Sequence, residues 1–311
     1  MNPGPGTKPG AKPRPRVLLV GAGPGDPELL TVKAVRAIRQ ATVILVDDLV
    51  APACLRLARR ACRIVQVGKR GGCASTPQDF IQRLMVVEAL RGERVVRLKG
   101  GDPSVFGRAG EELACLRAAG IEVDIVPGIT AGLAAAAAAG ASLTHREHSH
   151  GVALVAGHTA ADSPVDWASL VRSRMTLVVY MGVSAAASIR RELLAAGLEP
   201  GTPVLLMHAV ASASQRRVDS SLGRLEADLR AAGLASPCVM LIGRALGADA
   251  QGLAASPSRP ASSPSLQENA SCRPLRFAAV PAGPCSAPPS DSSSASAPSR
   301  CSAPRRRVSS S

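Results

Sequence analysis

Aromatic side chains are almost missing from this sequence: three phenylalanines, one tyrosine and one tryptophan make up 2% of 311 residues. Alanine, valine and leucine must therefore pack any core, and the 46% hydrophobic share is enough for one. No Cys-x-x-Cys pair occurs among the eight cysteines, and Cys272, Cys285 and Cys301 fall near the C-terminus. In a chain of this size that pattern reads as reduced thiols rather than a disulfide framework. No apolar run approaches the ~20 residues of a membrane-spanning helix. The opening stretch MNPGPGTKPGAKPRPR has no apolar h-region, and its prolines forbid an amphipathic transit helix. The expectation is a cytoplasmic protein with no membrane contact.

Charge of one sign dominates, at a formal +14, but it is unevenly spread. Residues 1–16 carry four basic side chains and no acid, and residues 251–311 carry a net +5, which leaves +5 for residues 17–250. Basicity concentrated in the ends does not argue for nucleic acid along the middle. Proline follows the same division, with five in 1–16 and ten in 251–311. Such Ser/Pro/Ala-rich ends cannot bury enough surface to offset ordering entropy. The sequence thus divides into a basic, disordered leader (1–16), an N-terminal α/β domain (17–135), a C-terminal α/β domain (136–249) and a disordered tail (250–311).

Between the ends, strand-like and helix-like segments alternate. Short β-branched runs at 17–20, 43–46, 63–67, 95–98 and 122–126 are separated by helical stretches at 31–40, 77–91 and 110–119. That alternation predicts a parallel α/β sheet. A second set of runs covers 152–156, 176–181, 203–207, 215–219 and 238–243. Its two closely spaced strands before the last long helix predict a mixed sheet. Two α/β domains with a cleft between them place a ligand at the carboxyl ends of the parallel strands. The alanine run near 133–140 predicts a helix that allows close backbone approach. Cys54, Cys62 and Cys115 read as core thiols, and Trp167 as a packing residue.

The first glycine loop, Gly21-Ala22-Gly23-Pro24-Gly25-Asp26, departs from the dinucleotide fingerprint Gly-x-Gly-x-x-Gly. Its third glycine comes one residue early, Pro24 removes an N–H donor, and Asp26 puts an anion where a phosphate would sit. Asp47, which ends the second strand, keeps a ribose-binding reading open. No Gly-Lys-Ser/Thr follows, so a P-loop is excluded. An uncharged or cationic ligand tolerates Asp26 better. Two further loops, KGGDPSV around Gly100, Gly101 and Asp102 and VPGITAG around Thr130 and Ala131, fall at the ends of the fourth and fifth strands. Bare glycine backbone lets a ligand lie close, and Asp102 can accept hydrogen bonds from hydroxyl or amino groups. His145, His148 and His150 in THREHSH invite a metal reading. Their spacing in a loop, with Glu147 the nearby carboxylate, predicts none.

The ordered motifs VGAGPGDPELLTVKA, DDLV, VGKRGG, VRLKGGDPSVFGRAGEE, VPGITAG, LTHR, VVYMG and QRRV resemble the class III tetrapyrrole methylases. GKRGG, GGDPSVFGRAGEE and LTHR together resemble the stand-alone uroporphyrinogen-III C-methyltransferase branch. The resemblance runs through nearly all of 17–243. It implies S-adenosylmethionine as donor, uroporphyrinogen III as acceptor, precorrin-2 as product by two ring-carbon methylations, a homodimer, and no metal. It places the donor on Pro24, Gly100, Gly101, Asp102, Val105, Thr130, Ala131 and Met181. Asp47 and Lys69 are implied as proton acceptor and donor, with Arg70, Arg97, Arg108, His145 and Arg146 around the acceptor's carboxylates. Three positions depart from the family pattern: Val46 for tyrosine, Ala156 for threonine, and His208-Ala209 for a Glu-Asn pair. A sister precorrin methylase, a ribosomal-RNA ribose methyltransferase and a catalytically silent donor-binding protein are the competing readings.

Overall fold

The computed structural model describes residues 14–68, 76–158 and 164–248. The tail at 250–311, most of the leader, and Lys69 and Arg70 lie outside the described residues. The first sheet is formed by β1 (Arg16–Gly21), β2 (Val43–Val46), β3 (Arg63–Gln66), β4 (Val95–Lys99) and β5 (Glu122–Val126). All its pairings are parallel, in the order β3-β2-β4-β1-β5. Strict period-two alternation divides its side chains between two cores. Val20, Ile44, Val46, Val96 and Leu98 pack against α1 (Val32–Gln40) and α2 (Pro52–Leu55). Val17, Leu19, Val43, Leu45 and Val95 pack against α3 (Gln78–Leu90) and α4 (Ala109–Ala118). With helices on both faces, the strands can be apolar throughout.

The strand begins slightly before the expected domain start. Arg16 is the first residue of β1, and Arg14 and Arg16 pair with Glu122 and Asp124 of β5. These exposed ion pairs cost little to form and contribute little.

The second sheet is mixed. β6 (Val152–Ala156) runs parallel to β7 (Thr176–Tyr180). β10 (Cys238–Ile242) is antiparallel to both β7 and β8 (Pro203–His208), and β8 to β9 (Arg216–Ser221). One face is covered by α7 (Ala186–Ala195) and α8 (Leu225–Ala231), with Trp167 of α6 (Trp167–Arg172) packed against it. The other face is covered by α5 (Ala131–Ala139), whose buried alanines sit on Val178, Leu205, Met207 and Val239.

The expected domain boundary at 135/136 therefore falls inside a helix that packs on the second sheet as one piece. The chain passes from one sheet to the other just before it, in the loop after β5. Small side chains make this possible: a Cβ on Gly132 would lie 2.5 Å from the Tyr180 hydroxyl oxygen. Of the expected core thiols, Cys54 is fully buried, whereas Cys62 and Cys115 are half-buried. No helix among the described residues is long and apolar enough to cross a membrane.

Candidate active site

Three loops leave the carboxyl ends of β1, β4 and β5 and meet backbone against backbone. The Gly101 N–H donates to Gly23 O (2.7 Å), the Gly23 N–H to Gly101 O (3.2 Å) and the Ala22 N–H to Lys99 O (2.8 Å). A Cβ on Gly21 would stand 2.6 Å from both Gly101 O and Gly128 N, so only glycine permits the convergence. Gly101 itself adopts φ +65°, a conformation that favours glycine. Asp102 ties the loops together: one carboxylate oxygen accepts the Ser104 N–H (2.7 Å) and the other the Gly128 N–H (3.0 Å).

This wiring answers what the first loop holds. A phosphate cradle needs free amides pointing at the anion. Here the Ala22 and Gly23 amides are committed to carbonyls, and Pro24 has none. Asp26 turns its carboxylate to the Glu28 N–H (2.8 Å), capping the short turn at Pro27–Leu29. The loop is an architectural clasp and forms no pyrophosphate nest.

The clasp forms one wall of a cavity of ≈ 190 Å³. Pro24, Gly100, Gly101, Asp102, Val105, Thr130, Ala131 and Met181, the residues expected to hold the donor, all line it, together with Asp47. The opposite wall comes from the second sheet, through Met207, Ala209 and Val239. A larger cavity of ≈ 530 Å³ lies elsewhere, beside His145 and Pro203. Convergent loops and a carboxylate, rather than size, mark the smaller one as the site.

Three features of this cavity are not read from sequence motifs. Tyr180, the single tyrosine, hydrogen-bonds the Thr130 hydroxyl and accepts the Gly132 N–H, both at 2.8 Å, so the second sheet holds the third loop in place. Phe106 packs on it with ring centroids 5.1 Å apart. In a chain so poor in aromatics, two that meet at one cavity are the usable signal. Phe106, Met181 and Ala209, all cavity-lining, have φ of +51°, +53° and +46°. Left-handed non-glycine backbone costs on the order of 1–3 kcal/mol each and collects at functional sites.

Beneath the cavity floor lies a buried ionic cluster. Arg97 and Lys99, adjacent same-face positions of β4, both reach Glu112 on α4. Arg97 Nε donates to one Glu112 oxygen (3.1 Å), and Lys99 Nζ lies 3.0 and 3.1 Å from the two. Gln78 Nε2 adds a third donor at 3.1 Å. Two cations thus share one fully buried carboxylate. Burial and the neighbouring Arg97 push the Lys99 amine below its ordinary pKa, opposed by Glu112 and more weakly by Asp47. Lys99 also lines the cavity beside Asp47.

The chain matches the Tetrapyrrole (Corrin/Porphyrin) Methylases family across residues 16–226. It belongs to this family. It is 56% identical over 228 residues to a uroporphyrinogen-III C-methyltransferase of Pseudomonas aeruginosa, covering 73% of this chain and 93% of that one. Against the Pseudomonas fluorescens protein of the same name the identity is 47%, covering 75% and 94%. A Klebsiella pneumoniae siroheme synthase 2 is 45% identical, and this chain spans about half its length. Among solved structures, a Thermus thermophilus uroporphyrin-III C-methyl transferase complexed with S-adenyl homocysteine has TM-score 0.62 and 40% identity, covering 74% of this chain and 98% of that one. A cobalt precorrin-4 methyltransferase superposes with TM-score 0.68 at 27% identity, covering 74% and 95%. The higher fold score goes with the lower identity, so backbone shape alone does not separate these activities.

Not every residue expected around the acceptor reaches the methylase cavity. Arg97 is 2% exposed and committed to Glu112, so it has no surface to offer a substrate carboxylate. A basic residue inside a strand of a two-faced sheet is necessarily inward on one face, which the motif alone conceals. His145 and Arg146 sit by the start of β8, since His145 shares a cavity with Pro203, whereas the donor cavity lies near Met207. Four residues of strand, about 13 Å, separate the two ends. Arg108 does lie beside the cavity in sequence, directly after Phe106 and Gly107, with φ +54° and an ion pair to Glu111 at 2.7 Å. That hydrogen bond holds the Glu111 carboxyl below its ordinary pKa. Gly68 packs directly on the side chain of Asp48, which lies just past the end of β2; Lys69 and Arg70, which follow Gly68, lie outside the described residues.

Of the positions expected to depart from the family pattern, Val46 is buried inside β2 and Ala156 is half-buried at the end of β6. His208 Nδ1 lies 2.9 Å from Ala235 O. Ala209 sits in the left-handed region, which asparagine tolerates better than alanine. Ala209→Asn is therefore expected to raise stability by about 1 kcal/mol, measured as a higher urea midpoint with unchanged slope.

Proposed function

We propose that this methylase transfers methyl groups from S-adenosylmethionine to two ring carbons of uroporphyrinogen III, giving precorrin-2. The observation that carries the reading is one cavity that joins three glycine loops of the parallel sheet to the Tyr180–Met181 turn of the second, with Asp47 at its edge. The names of its relatives support the acceptor and donor classes.

The residues present fit such a donor. The walls are mainly apolar and close-set, a thioether from Met181 lies among them, and the first glycine loop offers no phosphate cradle. When bound, S-adenosylmethionine supplies an electrophilic methyl on a sulfonium. The chain's residues do the rest. Gly100 and Gly101 present bare backbone along one side, and Thr130 and Ala131 leave room for a flat ring. The spare lone pairs of Asp102 remain available to hydroxyl or amino groups, since each oxygen accepts one amide. As the ring carbon bonds the methyl and the methyl–sulfur bond breaks, that carbon becomes quaternary. Asp47 takes the proton that the macrocycle then loses from a bridging carbon or ring N–H, with Lys69 as the proposed proton donor. Arg108 and Arg70 pair with acceptor carboxylates, arginine being suited to bidentate contact. Holding two reactants in line supplies much of the rate.

The test is an anaerobic incubation of the full chain with S-adenosylmethionine and uroporphyrinogen III, followed by product mass. A gain of two methyl groups is expected. Saturable donor binding with no methylated product would move the acceptor to a sister precorrin.

A further inference from the structure

The segment Thr144–His150 carries three histidines that methyl transfer at the donor cavity leaves unused. Sequence spacing argues against a metal there, but the fold assembles a different set from the three histidines. The segment turns back on itself: the His145 N–H donates to Ser149 O (2.8 Å) and the Ser149 N–H to His145 O (2.9 Å). Ser149 is buried and pins the turn to β7. Its hydroxyl accepts the Thr176 N–H (2.9 Å) and donates to Gly151 O (2.9 Å).

On that base, His145, Glu147 and His148 each bring one ligand atom within 4.8 Å of the others, while His150 stays outside the group. The His145 and His148 rings stack with centroids 4.7 Å apart and 20° between planes. Among the described residues, the Glu147 carboxylate has neither an ion pair nor a hydrogen bond, although arginines are plentiful. The three side chains face the ≈ 530 Å³ cavity, whose far side is the Arg244–Glu199 pair at 2.9 Å. Thr202 lines it too, 2% exposed, with its hydroxyl buried and lacking a hydrogen-bond partner.

We propose that His145, Glu147 and His148 form a binding site for a divalent first-row transition-metal ion. Two imidazoles with one carboxylate suit zinc, cobalt, nickel or copper. Magnesium and calcium, which take mostly oxygen ligands, are disfavoured. Bonds of about 2.0–2.2 Å place tetrahedral ligand atoms roughly 3.4 Å apart, so the present group closes by small side-chain rotations on a fixed turn. Three protein ligands leave a position open toward the cavity, where a small anion or water completes the shell. The Glu147 N–H donates to His145 Nδ1 at 3.2 Å. Ligation through Nδ1 replaces that contact, and ligation through Nε2 requires the other tautomer. Either route makes the site weaker and more exchangeable than a closed structural zinc centre.

The experiment is titration of metal-free, full-length protein with Co²⁺, read by visible absorbance, with His148→Ala and Glu147→Gln alongside. The expected result is one equivalent per chain with a dissociation constant below about 10 µM. Visible d–d bands should appear without near-ultraviolet thiolate charge transfer, and each variant should weaken binding at least tenfold. Both substitutions fall on a surface turn, and matching far-ultraviolet circular dichroism checks their folds. Sub-stoichiometric binding, a thiolate band, or equal affinity in Glu147→Gln would overturn the assignment. None of these readouts depends on methyl transfer.

Discussion

Asp47→Asn is expected to keep donor binding and lose turnover by roughly 10²–10⁴-fold, the range of a general base. The backbone at this position is held from both sides: the Asp47 N–H donates to Leu98 O (3.1 Å) and its carbonyl accepts the Val50 N–H (3.2 Å). Asparagine has the same shape and leaves both bonds in place, so the cavity wall survives. What is lost is the group able to receive the proton that the macrocycle sheds once a ring carbon is methylated. Calorimetric titration with S-adenosylhomocysteine and single-turnover product formation separate the two effects. Unchanged turnover would remove Asp47 from the chemistry. Loss of binding together with turnover would reassign it to holding the donor.

The largest expected loss of stability is at Glu112. Glu112→Ala removes the one buried carboxylate that Arg97 and Lys99 share, leaving two buried cations in contact. Breaking a buried ionic cluster by deleting one partner costs about 3–5 kcal/mol, a large part of a typical domain's stability. The loss should depend on pH with a definite sign. In the intact protein Glu112 raises the Lys99 pKa, while burial and Arg97 lower it more. Without Glu112 only the lowering influences of burial and Arg97 remain strong, so the amine sheds its proton at a lower pH. A lysine whose folded pKa lies below its unfolded value destabilises the fold while protonated. That penalty is relieved as pH rises from the folded pKa toward the unfolded one. The variant should therefore recover part of its deficit as pH is raised toward the ordinary lysine pKa, measured by urea unfolding along that rise. A deficit under about 1 kcal/mol at pH 7 would mean that water or another carboxylate reaches the cations.

Much of the architecture was legible because it depends on short-range pattern. Short β-branched runs located β2, β5 and β6 to the residue, and the cluster at 203–243 announced a mixed sheet. Short elements without strong periodicity, α2 and α6, were not legible, since four to six residues carry too little signal. The glycine loops pointed to a common ligand edge through their positions at strand ends. Resemblance to tetrapyrrole methylases then named the eight residues that the fold brings to one cavity.

The sequence by itself determined the alternation of elements, the two sheets, the loops that converge and the absence of a phosphate cradle. Each depends on residues close in the chain, or on a glycine or proline whose backbone chemistry needs no partner. Only the tertiary structure decided where charges and aromatic rings end up. Arg97 reads as a partner for the acceptor's carboxylates until β4 is covered on both faces and Glu112 is found beside it. Tyr180 and Phe106 lie 74 positions apart and become neighbours through the pairing of two sheets. His145 belongs to a motif near the crossing between the sheets, yet it lies at the far end of β8 from the donor cavity, because strand direction sets which end a loop occupies. Long-range burial and strand polarity are properties of the assembled sheets, and no local pattern of residue types encodes them.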